Sequence, residues 1–271
     1  MHGKGEHGGK EFFETGEISQ PGDWLKDELD RRGVSRRQFL KFCSSMATAL
    51  ALPPAFGARI AQAVETTQKP TLVWLEFQDC AALSIDYHET IMAAAGHQAE
   101  KNLAEAIERD RGAYIAVIEG SIPTGAGGAY CTIGGRSALD IAREVCDGAA
   151  VTVAIGTCAA FGGLPAAAPN PTGAMSVGDA VPGLNNLINM PACPANGDNL
   201  AALIVYYLTF GRIPELDAFR RPRFAYGKLI HDACEKRGHY DAGQYTEEWG
   251  DDGHRRGYCL YKMGCKGPVT Y

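Results

Sequence analysis

The chain has 271 residues, 45% of them hydrophobic, which is enough for one or two domains with a buried core. Its formal net charge of −6 argues against nucleic acid as the main partner, because phosphate binding needs a basic surface. Its nine cysteines are odd in number and lack the dense, even spacing of small secreted scaffolds, which disfavours a purely disulfide-linked protein.

The first predicted element is an export signal. Residues 1–34 are polar and are predicted to form a disordered leader. A twin-arginine core, S-R-R-Q-F-L-K, begins at Ser35, followed by an apolar stretch over about 42–56 and the small residues Ala61-Gln62-Ala63 of a cleavage site. Residues 35–63 are therefore predicted to be a twin-arginine signal peptide. It would send the protein to the periplasm or the periplasmic face of the inner membrane. The alternative is a chance arginine pair before a buried helix.

Strands and helices then alternate along the chain. Apolar runs predict four strands, at 71–77, 114–118, 151–155 and 187–190. Helical spacing and capping residues predict three helices, at 100–109, 137–146 and 199–210. This alternation predicts an α/β protein with a parallel sheet and right-handed crossovers.

Three cysteines follow predicted strands. Cys80, Cys158 and Cys193 each lie just beyond the carboxyl end of a strand, which is the edge where open parallel sheets bind ligands. Their convergence favours thiolate ligands of a metal centre. The alternative is three small buried hydrophobic residues, which is the common role of a free cysteine and the one predicted for Cys146.

A second group of soft ligands lies near the carboxyl terminus. It consists of three thiols and one imidazole, from His231, Cys234, Cys259 and Cys265. Such a set can hold an iron–sulfur cluster or a tetrahedral zinc ion. The chain has no C-x-x-C pair of the zinc-ribbon type, so the dispersed ligands favour a cluster.

Several motifs resemble those of the small subunit of the nickel–iron hydrogenases of the periplasmic or membrane-associated uptake type. The resemblance runs from Ser35 to Tyr271 and rests on the export core and on these further motifs: D-Y-H-E-T-I-M-A-A-A-G-H (86–97), E-G-S-I-P-T-G (119–125), I-G-T-C-A-A-F-G-G (155–163), A-P-N-P-T-G (168–173), P-A-C-P (191–194), I-H-D-A-C, H-Y-D-A-G and G-Y-C-L-Y-K-M-G-C-K-G-P.

The resemblance implies two cluster-binding regions. A flavodoxin-like domain at 64–212 would hold a proximal [4Fe–4S] cluster through Cys80, Cys158 and Cys193. A loop-rich region at 213–271 would hold a distal [4Fe–4S] cluster. Its ligands would be His231, Cys234, Cys259 and Cys265. The chain would pair with a large subunit that splits hydrogen at a Ni–Fe centre, and would pass electrons to a cytochrome or another membrane redox partner.

The chain departs from the family at two places. Leu83 stands where the family has a second proximal cysteine, and a crossover segment after Cys80 is missing, although parallel strands usually need about a dozen connecting residues. The three cysteines of a medial [3Fe–4S] cluster are absent, so we expect an incomplete chain. Cys131 is a candidate fourth proximal ligand. Gly163 occupies the position of an extra cysteine in oxygen-tolerant members, which implies an oxygen-sensitive type.

Two other functions were compared with the sequence, and both are alternatives to an electron-transfer subunit. A degenerate or fragmentary copy would act as a non-redox metal-binding or interaction protein. An FMN-binding flavodoxin-like protein needs a phosphate loop rich in Gly, Ser or Thr after its first strand. The residues Asp79-Cys80-Ala81-Ala82 fit that requirement poorly.

Overall fold

The computed structural model describes Leu25 and residues 29–66, 71–76, 87–88 and 95–271. From the start to the central helix, the elements are α1 (Arg36–Ala49), α2 (Phe56–Thr66), β1 (Leu72–Glu76), β2 (Tyr87–His88), α3 (His97–Arg109), β3 (Ile115–Glu119), β4 (Ile122–Pro123), β5 (Thr132–Ile133), β6 (Arg136–Ser137) and α4 (Ala138–Gly148). The elements that follow are β7 (Val151–Ile155), α5 (Gly156–Phe161), β8 (Ala174–Met175), α6 (Val177–Ala180), β9 (Leu187–Met190), α7 (Gly197–Phe210), α8 (Arg223–Tyr226), α9 (Arg237–Asp241) and α10 (Asp252–Arg255).

Five strands form one parallel sheet in the order β2-β1-β3-β7-β9. In terms of sheet strands alone this is the order 2-1-3-4-5 of the flavodoxin-like fold. Every residue of β3, β7 and β9 is buried, as expected for parallel strands covered on both faces. The predicted α/β fold class is therefore confirmed. The edge strand β2 has only two residues, and only residues 77–86 connect it to β1.

Alternate residues of the strands supply two hydrophobic cores, one on each face of the sheet. Val73 and Leu75 pack on the face covered by α3 and α4, together with Leu103 and Ile141. Trp74 points to the opposite face, which α7 covers with a core formed by Val117, Val153, Ile188, Leu200 and Leu203. The two helical layers thus leave the carboxyl edge of the sheet as the place where loops meet.

The predicted signal segment is folded in this structure. α1 and α2 pack against each other and against α7 in a third apolar cluster, which also contains Leu25 at 8% exposure. A chance arginine pair before a buried helix would give this packing. An export signal that packs on the folded domain before cleavage would give the same packing. The rest of the predicted leader before Leu25 lies outside the described residues. No helix among the described residues is long and apolar enough to span a membrane.

Residues 213–271 contain short elements joined by loops, as predicted for the carboxyl-terminal region. Its helices α8, α9 and α10 have four or five residues each. Three 3₁₀ turns complete the region, at Ile230–Ala233, Tyr261–Met263 and Gly267–Val269. Because so little regular structure is present, side-chain and loop contacts determine the shape of this region.

Candidate metal centres

The carboxyl edge of the sheet brings Cys158 and Cys193 to neighbouring loops. β7 ends at Ile155, and Cys158 lies in the first turn of α5 with a partly exposed side chain. Cys193 is exposed three residues after β9. The backbone N–H of Thr157 donates to the carbonyl of Ala192 at 2.9 Å, which joins the two loops directly. Both cysteines therefore lie where their positions after adjacent strands predicted.

Cys80 lies outside the described residues. β1 ends at Glu76 and pairs in parallel with β3, so the chain leaves β1 at the same edge of the sheet. This is the edge expected for a third proximal ligand, and the placement of the Cys80 thiol stays a prediction.

The backbone of Gly163 lies close to the side chain of Cys158. A Cβ atom on Gly163 would lie 2.6 Å from the Cys158 Sγ and 2.9 Å from its Cα. Gly163 also has a φ of +55°, which favours glycine. The neighbouring Gly162 donates its N–H to the Cys158 carbonyl at 2.8 Å. The two glycines therefore allow the chain to pass close to the thiol and fix the backbone that carries it.

Cys131 lies beside the start of α4. Its N–H donates to the carbonyl of Gly128 at 3.2 Å, and its carbonyl accepts from the N–H of Ala138 at 2.9 Å. α4 runs from that point back toward the amino end of β7, so its first residue lies on the carboxyl side of the sheet. Cys131 is partly exposed there, on the side where a fourth proximal ligand would have to be.

A buried carboxylate at this edge was not identified from the sequence. Glu119 ends β3, is only 3% exposed, and its Oε2 accepts a hydrogen bond from Nε1 of Trp74 at 3.2 Å. The available signal was an ionisable residue ending the otherwise apolar run Y-I-A-V-I-E. An acidic residue that ends a fully buried strand needs a donor nearby, because burying a charge without a partner is costly.

Two of the carboxyl-terminal candidate ligands, His231 and Cys265, lie beside Gly267. His231 lies in the turn Ile230–Ala233, and the Ile230 N–H donates to the carbonyl of Thr270 at 2.8 Å. Gly267 donates its N–H to the Sγ of Cys265 at 3.4 Å, and a Cβ on Gly267 would lie 3.6 Å from the backbone nitrogen of His231. The His231 turn and the Cys265 thiol are therefore both packed against one glycine.

Cys234 and Cys259 belong to the same group of loops. Lys236, two residues after Cys234, donates from Nζ to the carbonyls of Gly257 at 2.8 Å and Tyr258 at 3.3 Å. Cys259 itself is 7% exposed, and its carbonyl accepts from the N–H of Thr246 at 3.0 Å. These bonds hold the Cys234 turn beside the segment that carries Cys259.

Aromatic rings fill the space between these turns. The His231 ring packs edge-on against Tyr240 at a centroid distance of 4.5 Å, and Tyr240 packs against Tyr261 at 5.3 Å. Tyr261 lies in the turn between Cys259 and Cys265. His231 and Cys234 share one turn, and tyrosines and backbone hydrogen bonds hold that turn near the segment that carries Cys259 and Cys265.

The donor set fits a soft metal centre. Three thiols and an imidazole are ligands that zinc and iron–sulfur clusters both accept. Among the described residues, no group of three or more His, Cys, Asp and Glu side chains lies close enough to hold a single metal ion. A cluster of several iron and sulfur atoms spreads its ligands more widely than one ion does, and the dispersed turns are compatible with that requirement.

Two other cysteines have no part in these sites. Burial raises the pKa of the Cys146 thiol to about 12 and that of Cys43 to about 11, with a smaller contribution from Glu65 at Cys43. Cys146 is 1% exposed within the core, as predicted, and Cys43 of α1 is fully buried. Both thiols stay protonated near neutral pH and serve as packing groups.

Comparison with known proteins identifies the family. Residues 73–207 match the model described as NADH ubiquinone oxidoreductase, 20 Kd subunit, and residues 226–271 match the model for the C-terminal part of the NiFe/NiFeSe hydrogenase small subunit. These matches define the class of protein as a small subunit of a multi-subunit oxidoreductase. The chain is a member of the nickel–iron hydrogenase small-subunit family.

Individual relatives support this membership. The Hydrogenase-2 small chain of Escherichia coli strain K12 is 42% identical over 263 residues, covering 90% of this chain and 70% of that protein. The Quinone-reactive Ni/Fe-hydrogenase small chain of Wolinella succinogenes is 40% identical over 265 residues, covering 90% and 74%. A solved [NiFeSe] hydrogenase chain from Desulfovibrio vulgaris Hildenborough superimposes with a TM-score of 0.67 at 31% identity, covering 76% of this chain and 85% of that one.

Proposed function

We propose that this chain is the electron-transfer subunit of a nickel–iron hydrogenase. It would carry electrons, released when the large subunit oxidises hydrogen, through iron–sulfur clusters to an acceptor. The observation that carries the proposal is the grouping of thiols at two separate places. One group lies on joined loops at the carboxyl edge of the sheet, and the other in the linked turns of the carboxyl-terminal region.

The proximal [4Fe–4S] cluster would be held by Cys80, Cys158 and Cys193, with Cys131 as the fourth ligand. Support comes from the Thr157–Ala192 bond that joins two of the loops, and from Cys131 beside the start of α4. The Gly163 backbone then lies beside the Cys158 thiol.

The distal [4Fe–4S] cluster would be held by His231, Cys234, Cys259 and Cys265. A cluster supplies one-electron transfer when it is bound, and a histidine ligand makes it less negative and raises its reduction potential. The exposure of Cys265 supports a site near the surface, where an electron could leave the protein. We therefore assign the distal site as the electron exit.

Partners and location follow from the same proposal. The large subunit would face the proximal site, and a cytochrome or other membrane redox partner would face the distal site. The name of the Wolinella relative describes a quinone-reactive enzyme, which supports a membrane quinone as the final acceptor here. The twin-arginine signal supports a location in the periplasm or at the periplasmic face of the inner membrane.

Metal analysis of the complex with its large subunit tests the ligand assignments. Cys265→Ser should remove the distal cluster and lower iron and acid-labile sulfide by about four atoms each per complex. Cys131→Ser should remove the proximal electron paramagnetic resonance (EPR) signal and leave the distal one. Cys146→Ala is the matched control, since it removes a thiol from the core and should change neither count.

Unchanged iron in Cys265→Ser would reject the distal assignment. An unchanged proximal signal in Cys131→Ser would reject Cys131 as the fourth ligand without affecting the rest. A complex that forms without acid-labile sulfide would favour the non-redox interaction protein.

A further inference from the structure

The helix α7 is apolar on two opposite faces. Leu200 and Leu203 pack on the sheet, while Ala202 and Val205 face away from it and are also buried. A helix with two apolar faces needs cover on both of them. In this structure the cover on the outer face is the helical hairpin formed by α1 and α2, residues 36–66.

The hairpin and α7 share one continuous apolar cluster. Cys43 and Ala47 of α1, Ile60 of α2 and Ala202 of α7 have no measurable exposure. Phe56 and Phe210 approach to a ring-centroid distance of 6.1 Å, and the Arg59 guanidinium lies within 5.6 Å of both ring centroids. The contact thus extends from the middle of α7 to its carboxyl end.

The two helices of the hairpin also approach each other closely. A Cβ on Gly57 would lie 2.9 Å from Oγ of Ser44 and 3.1 Å from its Cα. Ser35 caps α1 in a capping box with Gln38, so the helix begins within the twin-arginine core. The hairpin is therefore a packed unit with a defined start and a tight crossing.

This packing buries the apolar face of the export signal. Arg36 and Arg37 are exposed, but Phe39 of the same motif is only 6% exposed. The predicted cleavage residues Ala61-Gln62-Ala63 lie inside α2, and Ala61 is 4% exposed. Proteases cut exposed, flexible chain, so the hairpin must leave α7 before it can be removed.

We propose that the hairpin 36–66 is an autoinhibitory cover on the outer face of α7, which holds the apolar part of the export signal closed until the hairpin is displaced. The arginine pair stays on the surface in the closed state, while the buried face of the apolar stretch and the cleavage residue Ala61 are withheld. Release would expose the signal and the outer face of α7 together. The hairpin would act in this way whichever residues ligate the clusters.

Cys43 is a built-in probe of the closed state. Burial keeps its thiol protonated and inaccessible, so a thiol reagent reaches it only when the hairpin opens. The experiment treats the full-length precursor with N-ethylmaleimide under native conditions and follows the labelling of Cys43 by peptide mass spectrometry. Cys146, on the buried face of α4, reports whether the sheet domain stays folded.

Charged substitutions on both sides of the contact should open the hairpin. Ala202→Glu in α7 and Ile60→Asp in α2 should each raise the labelling rate of Cys43 at least tenfold without labelling Cys146. The matched controls are Ala201→Glu, which is outside both apolar clusters of α7, and Gln62→Asp on the exposed side of α2. Both controls should stay within twofold of the unmodified chain.

Two results would overturn the proposal. One is a Cys43 labelling rate in the unmodified native precursor that equals the rate in denaturant. The other is a labelling rate in Ile60→Asp that matches Gln62→Asp. Ile60→Asp lies outside the sheet domain, so it remains informative even where Ala202→Glu exposes Cys146 by unfolding.

Discussion

At the residue scale, Gly163 controls the geometry of a predicted cluster ligand. Its missing side chain leaves the space that the Cys158 thiol occupies, because a Cβ would lie 2.6 Å from Sγ. Gly183 also has a positive φ, of +91°, but nothing lies within 4 Å of its Cβ position. A comparison of the same substitution at Gly163 and at Gly183 therefore separates the effect of backbone strain from the effect of crowding the Cys158 thiol.

We expect Gly163→Val to lose the proximal cluster while Gly183→Val keeps it. Both changes place a branched side chain at positive φ and should cost about 1–3 kcal/mol of unfolding free energy. Only Gly163→Val would also displace the thiol of Cys158. Proximal EPR intensity and thermal unfolding of the complex measure the two effects separately, and equal cluster content in the two variants would contradict the role given to Gly163.

The residue scale also shows where sequence reasoning stops. Cys158 and Cys193 could be placed at one edge because each follows a strand, and strand ends in a parallel sheet coincide. Glu119 could not be assigned a partner, because its donor Trp74 lies 45 residues away in the chain and meets it only through strand pairing. Contacts of this kind depend on the register between paired strands, and the residue pattern of a single strand does not determine that register.

At the element scale, capping residues set where α7 begins and ends. Asn196 accepts hydrogen bonds at its side-chain oxygen from the N–H groups of Asp198 at 2.9 Å and Asn199 at 3.2 Å. Gly211 closes the other end in the left-handed conformation. The sequence predicted this helix from Asn199, and the cap moves its start to Gly197, because side-chain capping extends a helix beyond its apolar repeat.

Asn196→Ala should destabilise the protein by about 1 kcal/mol, since it leaves first-turn N–H groups without their acceptor. Asn196→Asp keeps the acceptor and should stay within a few tenths of a kcal/mol of the unmodified chain. Urea unfolding followed by circular dichroism measures both. Equal stability of the two variants would show that the cap contributes nothing to α7.

The strands were easier to predict than the hairpin contact. β7 and β9 have the predicted bounds because glycine, proline and asparagine interrupt the chain near the ends of the apolar runs. The packing of α1 and α2 on α7 joins residues that are more than 100 positions apart, such as Ile60 and Ala202. Apolar periodicity shows that each helix has a face to bury but does not name the surface that buries it.

At the scale of the whole molecule, the chain combines a flavodoxin-like sheet with a region of short turns. The sheet has enough apolar residues to fold around its own two cores. The turns of 213–271 rely on tyrosines, backbone hydrogen bonds and, in our proposal, a bound cluster. Metal binding would then contribute directly to the stability of this region.

The central claim is that both groups of thiols bind iron–sulfur clusters and that these clusters receive electrons from the large subunit. Its most direct test is EPR spectroscopy of the assembled complex under hydrogen and after oxidation. We expect reduced iron–sulfur signals from two sites under hydrogen, with the distal signal alone missing in Cys265→Ser. An intact complex that oxidises hydrogen at its large subunit but shows no iron–sulfur signal from this chain would contradict the claim.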